Sequence, residues 1–229
     1  MKTLKETLEV FEPGQVYKPG EVVAYSNYGA TLAAYIIERI TGMEFYEYVN
    51  QNIFDVLNMK ETSTQPLQKD NLYLQKNRLL TKGYVKNSKG FTERPILYLG
   101  IYPAGGAVGT LSDMCRFVSA LVSKDRKKSP LFKKEKTFTT MFSESYKVTD
   151  DFPGICHGFW EHYYSACTLE HAGNTDSFSS QITFAPEEGV AVVIMTNQSH
   201  ERSLCYGLKD KIFGSYKADK IKIYCLILV

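Results

Sequence analysis

Two short polar motifs carry the residue types that could do chemistry in this sequence. The first is Tyr25-Ser26-Asn27, with Gly29 two residues further on, where a loop meets a predicted helix. The positive end of a helix dipole favours a phenolate, so a Tyr in this position could serve as a general base. The commoner use of such a tripeptide is structural, with Ser or Asn capping the helix and the Tyr packed beside it. The tripeptide alone therefore leaves both interpretations open.

The second motif is His171-Ala172-Gly173, at the end of a predicted strand. Small residues let the backbone of a substrate approach a strand edge, and a His can hydrogen-bond a carboxylate or an attacked centre. A lone His at a strand end more commonly has a hydrogen-bonded structural role. The surrounding sequence has to decide between these readings.

Both motifs sit in longer runs that occur in a familiar order. The runs are residues 19–29, Pro103-Ala104-Gly105-Gly106 through Thr110-Leu111-Ser112-Asp113, residues 171–173 with Phe178-Ser179-Ser180, and residues 186–193. Together they resemble the second active-site motif, the Gly-rich turn that opens a helix, the third motif and the following hairpin of one family. That family comprises class C β-lactamases, penicillin-binding proteins, D-alanyl-D-alanine carboxypeptidases and related esterases. The resemblance covers nearly the whole chain.

The resemblance implies a role for each matching residue. Tyr25 would be the base or proton shuttle beside the nucleophile, and Asn27 would hold the acyl side chain of the substrate. His171 would replace the Lys that many relatives use, as is common among esterase-like and peptidase-like members, which weighs against β-lactams as the substrate. Gly173 belongs to the same motif, and the backbone N–H of Asn174 is a candidate donor to an oxyanion hole.

The family's first motif, Ser-x-x-Lys, does not occur in this sequence. In that motif the Ser attacks a carbonyl and the Lys, on the same helix face, tunes its proton. No Ser here has a Lys three residues later, and only 24 residues precede Tyr25. We therefore expect the C-terminal part of a serine hydrolase acting on a β-lactam, a D-alanyl peptide or a small ester. The alternative is a non-catalytic relative that binds peptide or peptidoglycan fragments, or an inactive truncated fragment.

The periodicity of the sequence predicts which elements position these motifs. Apolar spacing predicts helices over 27–40, 45–57, 110–122 and 202–212, whereas residues 63–99 lack periodicity and are expected to form a loop. Helix 27–40 places Leu32, Ile36, Ile37 and Ile40 on one face for packing, with Gly42 as its C-terminal cap. Thr110 and Asp113 have capping-box spacing. Alternation predicts strands over 159–164, 168–171, 178–184 and 190–196.

These elements indicate one partial domain over 1–229. Residues of about 27–150 form a mainly helical region, and residues of about 155–214 form an antiparallel sheet with a C-terminal helix. The fold class is α/β in the α+β sense, β-lactamase/transpeptidase-like, without its N-terminal strands and nucleophile helix. Strand 190–196 is almost wholly apolar, which suits a central strand. If the missing strands leave it unpaired, we expect self-association through that exposed sheet edge.

Charge and cysteine content narrow the classes of partner. The net charge is +2, with 27 basic against 25 acidic residues, and the basic cluster at 124–136 has a single aromatic residue, Phe132, rather than aromatic residues that alternate with its charges. Nucleic acid is therefore not expected, whereas the family resemblance implies a small-molecule or peptide substrate and no cofactor. The five cysteines are odd in number and scattered, which favours reduced thiols, and Cys156, His157, His162 and Cys167 do not have zinc-site spacing.

The two ends of the sequence give little information on compartment. The first 12 residues contain no apolar segment of the signal-peptide kind, although intact relatives are often extracytoplasmic. Residues 221–229 are apolar but too few to span a bilayer, and we expect a final strand or a packed tail.

Overall fold

The computed structural model describes residues 2–122, 129–147 and 153–214. Part of the basic cluster, residues 124–128, and the apolar tail at 221–229 lie outside the described residues. The described chain divides into two compact units. The N-terminal unit contains 2–117, 175–178 and 197–199, and the C-terminal unit contains the remaining described residues.

The N-terminal unit is mainly helical. Its elements are α1 (Leu4–Phe11), α2 (Asn27–Thr41), α3 (Phe45–Val49) continued by a π-helical turn (Asn50–Phe54), α4 (Leu72–Asn77) with a 3₁₀ turn (Arg78–Leu80), β1 (Gly83–Asn87), β2 (Gly90–Arg94), a 3₁₀ turn (Tyr102–Ala104) and the first seven residues of α5 (Leu111–Leu121). The helices at 27–40 and 110–122 are confirmed. Helix α2 ends at Gly42, whose φ of +71° suits a residue without a Cβ.

Helix α2 buries a different face from the one its apolar pattern predicts. Thr31 and Ala34 are buried, and Ala34 packs with Leu4 and Tyr102 in a small core. The apolar stripe remains accessible, with exposed fractions of 38% for Leu32, 49% for Ile36 and 80% for Ile40. The fourth residue of the predicted face, Ile37, is half-buried, so the prediction that this stripe packs is wrong for Leu32, Ile36 and Ile40. A patch of this kind commonly marks a surface that another segment covers.

The loop predicted over 63–99 contains the hairpin β1–β2. Asn87 pairs with Gly90 across the turn, and Gly90 has a φ of +110°. All five residues of β2 are exposed, so the strand needs no apolar alternation and gives no period-two signal. The sequence pattern therefore could not reveal it.

The C-terminal unit holds a five-stranded antiparallel sheet. Its elements are the end of α5, α6 (Glu135–Phe142), β3 (Ile155–Cys156), β4 (Phe159–Tyr163), β5 (Cys167–Asn174), β6 (Ser179–Ala185), β7 (Val190–Thr196) and α7 (Ser203–Phe213), with the strands in the order β3-β4-β5-β6-β7. The four predicted strands and the final helix are confirmed, and β5 extends three residues beyond its predicted end. Helix α6 and the short β3 were not predicted.

Each face of this sheet packs against helices. On one face the rings of Phe138, Phe142, Phe159 and Phe184 make edge-on and tilted contacts with centroids 4.8–6.1 Å apart. On the other face Phe213 of α7 packs against Tyr164 and Ala185. Strand β7 is an edge within the described sheet, with β6 as its neighbour, and its end residues Val190 and Met195 are 42% and 44% exposed.

Candidate functional site

Tyr25 lies at the mouth of α2, in the N-terminal unit. Ser26 is the N-cap, and its Oγ accepts a hydrogen bond of 2.9 Å from the Gly29 N–H. Tyr25 is 61% exposed, and Asn27, the first residue of the helix, is also exposed. The structural reading is therefore correct for Ser26 as a cap but wrong for Tyr25 as a packed ring. The phenol is accessible to solvent beside the positive end of the helix.

His171 and Gly173 lie on β5, in the C-terminal unit. Strand β6 pairs with β5 as far as Asn174, and His171 lies opposite Ile182. Strand β4 pairs with β5 only up to Glu170, opposite Trp160. Among the described strands, residues 172–174 therefore have a strand partner on one side alone. An edge of this kind can pair with an extended ligand, and its use by a substrate stays a prediction.

Gly173 is also required by packing within the sheet. A Cβ built on this residue would lie 2.6 Å from the Oγ of Ser180, its partner across the β5–β6 ladder. That separation is too short for any side chain unless Ser180 moves. The contact with Ser180 thus accounts for a glycine here, and close approach to a substrate stays a prediction.

Asn174 ends the motif and is held by a short polar relay. Its Oδ1 accepts a hydrogen bond of 2.7 Å from Ser179 Oγ, which in turn accepts one of 3.0 Å from the Glu201 N–H. The relay fixes the Asn174 side chain relative to Glu201, which lies two residues before the start of α7. The role of the Asn174 backbone N–H in an oxyanion hole stays a prediction.

An open pocket lies beside this end of β5, within the C-terminal unit. Its volume is about 370 Å³, including open solvent, and its walls are strand residues such as Ala172, Asn174 and Gln181 and the α7 residues Arg202 and Tyr206 at or after the cap. Gln181 is buried at 2% exposure, so the floor of the pocket is polar. Sequence reasoning missed the pocket because its two walls are about 30 residues apart in the chain.

Two charged residues, Glu201 and Arg202, lie at the pocket rim, and they differ in whether other groups of the chain already bind them. The Glu201 carboxylate accepts hydrogen bonds from the N–H groups of Leu204 and Cys205 at 2.9 and 3.1 Å, and so caps α7. Burial opposes ionisation of Glu201, but these backbone hydrogen bonds prevail and hold its pKa below the ordinary value. Arg202, the N-cap residue of α7, has no ion pair within the described chain. The Arg202 guanidinium is thus available to a ligand in the pocket. In the sequence, only the position of an Arg directly before the predicted helix at 202–212 could have indicated it.

The Gly-rich turn belongs to the N-terminal unit. The helix that follows it, α5, has only part of the predicted capping box of Thr110 and Asp113. A Cβ on Gly106 would lie 2.8 Å from the Cβ of Tyr102, so the turn requires this glycine. Thr110 Oγ accepts a hydrogen bond of 3.3 Å from the Asp113 N–H, which is half of a capping box. The Asp113 carboxylate binds elsewhere: it accepts hydrogen bonds of 2.8 and 2.9 Å from Glu61 N–H and Thr62 Oγ1.

Metal binding and membrane spanning are two further properties that the described residues can be judged on. No group of three or more His, Cys, Asp or Glu side chains in 2–122, 129–147 and 153–214 is arranged to hold a metal ion. The four cysteines that the structure describes are free thiols: Cys115, Cys156, Cys167 and Cys205. None of the described helices combines the length and the apolar character needed to cross a membrane.

Two comparisons with known sequences agree on the family. The Beta-lactamase family model matches residues 9–209. The human protein "Serine beta-lactamase-like protein LACTB, mitochondrial" is 30% identical over 125 residues, which are 51% of this chain and 21% of that protein. "Protein flp" of Staphylococcus aureus is 25% identical over 187 residues, 81% of this chain and 35% of that protein. The chain thus spans about a fifth to a third of the length of these relatives.

Solved structures agree on the fold. The penicillin-binding protein from Bacillus halodurans has a TM-score of 0.74 at 24% identity, over 93% of this chain and 64% of its own. The D-amino acid amidase from Ochrobactrum anthropi has a TM-score of 0.71 at 22% identity, over 93% and 63%. The predicted β-lactamase/transpeptidase-like fold is therefore confirmed. Since the family model matches most of the sequence, the chain belongs to the beta-lactamase family.

Proposed function

We propose that this chain is the C-terminal part of a serine hydrolase that carries out acyl transfer through a Ser ester. In this proposal Tyr25 is the base or proton shuttle and Asn27 binds the acyl side chain. His171, Gly173 and Asn174 form the strand segment along which the substrate lies. The edge of β5 at 172–174, which pairs with β6 alone among the described strands, is the observation that carries the proposal, because an acyl-transfer site of this kind needs backbone groups beside the substrate.

The proposal places the nucleophile in a segment upstream of this chain. The sequence contains no Ser-x-x-Lys. The solved neighbours extend beyond the region that this chain matches, since it covers 64% of the Bacillus halodurans structure. The exposed apolar stripe of α2 and the edge of β7 are surfaces that such additional chain would cover.

The pocket rim supports a preference among substrates. The Arg202 guanidinium has no ion pair among the described residues, and it lines the same pocket as Ala172 and Asn174 of the β5 motif. A guanidinium binds a carboxylate through two parallel hydrogen bonds. At this pocket, which lies on the sheet face opposite His171, a ligand with an acidic group such as a D-alanyl peptide is therefore favoured over a neutral ester.

The proposal is tested by restoring a segment with Ser-x-x-Lys in the same polypeptide. We expect hydrolysis of an N-acyl-D-alanyl peptide to appear, and Tyr25→Phe to lower kcat about a hundredfold or more, since it removes the proton-carrying oxygen and keeps the ring. Tyr28→Phe, in the first turn of α2, is the matched control and should leave turnover unchanged. Full activity of Tyr25→Phe would refute the role of Tyr25.

A second candidate function is ligand binding without catalysis. The absence of Ser-x-x-Lys together with an intact polar pocket favours it. Titration of the chain as it stands with N-acetyl-D-alanine, followed by amide chemical shifts, measures this function directly. Shifts at Asn174 and Gln181 that disappear in Arg202→Ala support binding, and their absence at millimolar ligand refutes it.

A further inference from the structure

A buried ionic network lies beneath α7, on the sheet face opposite His171. The Glu170 carboxylate of β5 accepts a hydrogen bond of 2.7 Å from Lys209 Nζ of α7 and one of 3.2 Å from Thr183 Oγ1 of β6. Its other oxygen lies 3.0 Å from Nε2 of His162, on β4. Glu170 and Lys209 are 7% and 1% exposed, respectively. One carboxylate thus joins three strands and a helix.

A buried network of this kind is stable only if its charged groups are closely paired and hydrogen-bonded. A carboxylate and an ammonium that leave water lose several kcal/mol of hydration each, and only close pairing and further hydrogen bonds recover this loss. Lys209 has that close pairing, and its Nζ also lies 4.5 Å from the ring centroid of Tyr206, one turn earlier in α7. Helix α7 is therefore held to the sheet at one defined position.

Lys209, rather than His162, supplies the positive charge of the network. Burial lowers the pKa of His162 most, and the neighbouring charge of Lys209 lowers it further. The carboxylates of Glu170 and Glu161 act in the opposite direction without restoring the ordinary value. A neutral His162 that donates from Nε2 satisfies the Glu170 oxygen without adding a second charge.

The residues that follow these anchors form the two walls of the pocket. Ala172 and Asn174 share the face of Glu170 on β5, and Arg202 and Tyr206 precede Lys209 on α7 by about two turns and one turn. We propose that Glu170 and Lys209 are positioning residues, whose ion pair sets the separation of β5 and α7 and thereby the width of the pocket. The identity of the ligand in the pocket rests on the proposed function, whereas the positioning role of Glu170 and Lys209 does not.

The test compares Lys209→Met, Glu170→Gln and the double variant. The control is Lys211→Met, on the exposed surface of the same helix. In Lys209→Met we expect amide hydrogen exchange to accelerate at least tenfold in 170–174 and 203–209 and to stay within about twofold in α6, which packs on the other face. The double variant should recover most of that protection, because it leaves no buried charge without a partner.

A titration of the His162 ring by NMR adds a signature that lost stability alone does not give. Without Lys209, His162 becomes the cation nearest to Glu170, so its pKa should rise by about one unit or more in Lys209→Met. In Lys211→Met it should not move. The inference is overturned if exchange accelerates uniformly across the C-terminal unit, or if the His162 titration is the same in Lys209→Met as in the wild type.

The same samples separate this inference from the proposed function. If N-acetyl-D-alanine does not bind the wild-type chain, the assignment of the pocket fails, whereas the exchange pattern and the His162 titration still decide the positioning role. If the wild type binds, Lys209→Met should weaken the binding about tenfold, and an unchanged affinity would contradict the positioning role.

Discussion

Asp113→Asn is the substitution whose effect the structure defines best. The Asp113 carboxylate is completely buried and is shared by residues far apart in the sequence, accepting hydrogen bonds from Glu61 N–H and Thr62 Oγ1. It also pairs with Arg116, one turn along α5. The side chain thereby fixes the start of α5, just after the Gly-rich turn, to the segment at 61–62.

The expected loss follows from the number of acceptors removed. Both hydrogen bonds from Glu61 and Thr62 go to one carboxylate oxygen, and Arg116 binds the other. An Asn keeps one acceptor oxygen, so its amide group must face a donor, and all remaining bonds lose their charge. An Asn oxygen in the position of the first carboxylate oxygen keeps the bonds from Glu61 and Thr62, each weaker by about 1–1.5 kcal/mol without the charge, and the amide group then faces Arg116 and loses that pair, so the total is about 2–4 kcal/mol. The Arg116 side chain is 47% exposed, so its pair contributes less than about 1 kcal/mol.

Urea unfolding followed by far-ultraviolet circular dichroism measures this loss at neutral pH. We expect Asp113→Asn to lower the free energy of unfolding by about 2–4 kcal/mol, and the control Arg116→Ala to lower it by less than about 1 kcal/mol. The reasoning is refuted if the Asn variant loses less than about 0.5 kcal/mol, or no more than the Arg116→Ala control.

Three further predictions concern the C-terminal unit. We expect the wild-type chain to associate through the edge of β7, and Val193→Lys to reduce this association in size-exclusion chromatography with light scattering; a stable wild-type monomer with slow amide exchange throughout β7 would contradict it. Because the folded state lowers the pKa of His162, its stabilising contribution is complete above the unfolded value of about 6.5 and is lost as the pH falls below it. The free energy of unfolding should therefore decrease from pH 7.5 to pH 5, and His162→Gln should flatten this dependence. Gly173→Ala should cost about 1–3 kcal/mol because of its contact with Ser180, and Ser180→Gly should relieve most of that cost; equal losses with and without Ser180 would exclude the clash.

Local patterns were sufficient to predict the elements that carry the motifs. Strands β4 to β7 follow from alternation and β-branched residues, and α2 follows from Ser26 at its start and Gly42 at its end. Each of these signals involves residues that are close together in the chain, so it can be recognised from the sequence alone. The family resemblance rests on the same local runs, which is why the fold was predicted correctly.

The features that sequence reasoning missed depend on contacts between distant residues. Glu170 and Lys209 are 39 residues apart, and nothing in either segment marks the two side chains as partners. The pocket has the same origin, since Asn174 and Arg202 come from different elements. The apolar stripe of α2 shows the converse limit: periodicity predicts that a helix has an apolar face, but not which segment covers it.

Acylation by an activity probe tests the central claim most directly. The chain as it stands and the chain with a restored Ser-x-x-Lys segment are each treated with a fluorophosphonate and with a fluorescent β-lactam, and the labelled peptides are mapped. We predict no acylation of the chain as it stands and, in the restored protein, labelling at the Ser of Ser-x-x-Lys. Stoichiometric labelling of the chain as it stands, at Ser26 or at any other hydroxyl, would contradict the proposal that its nucleophile lies in another segment.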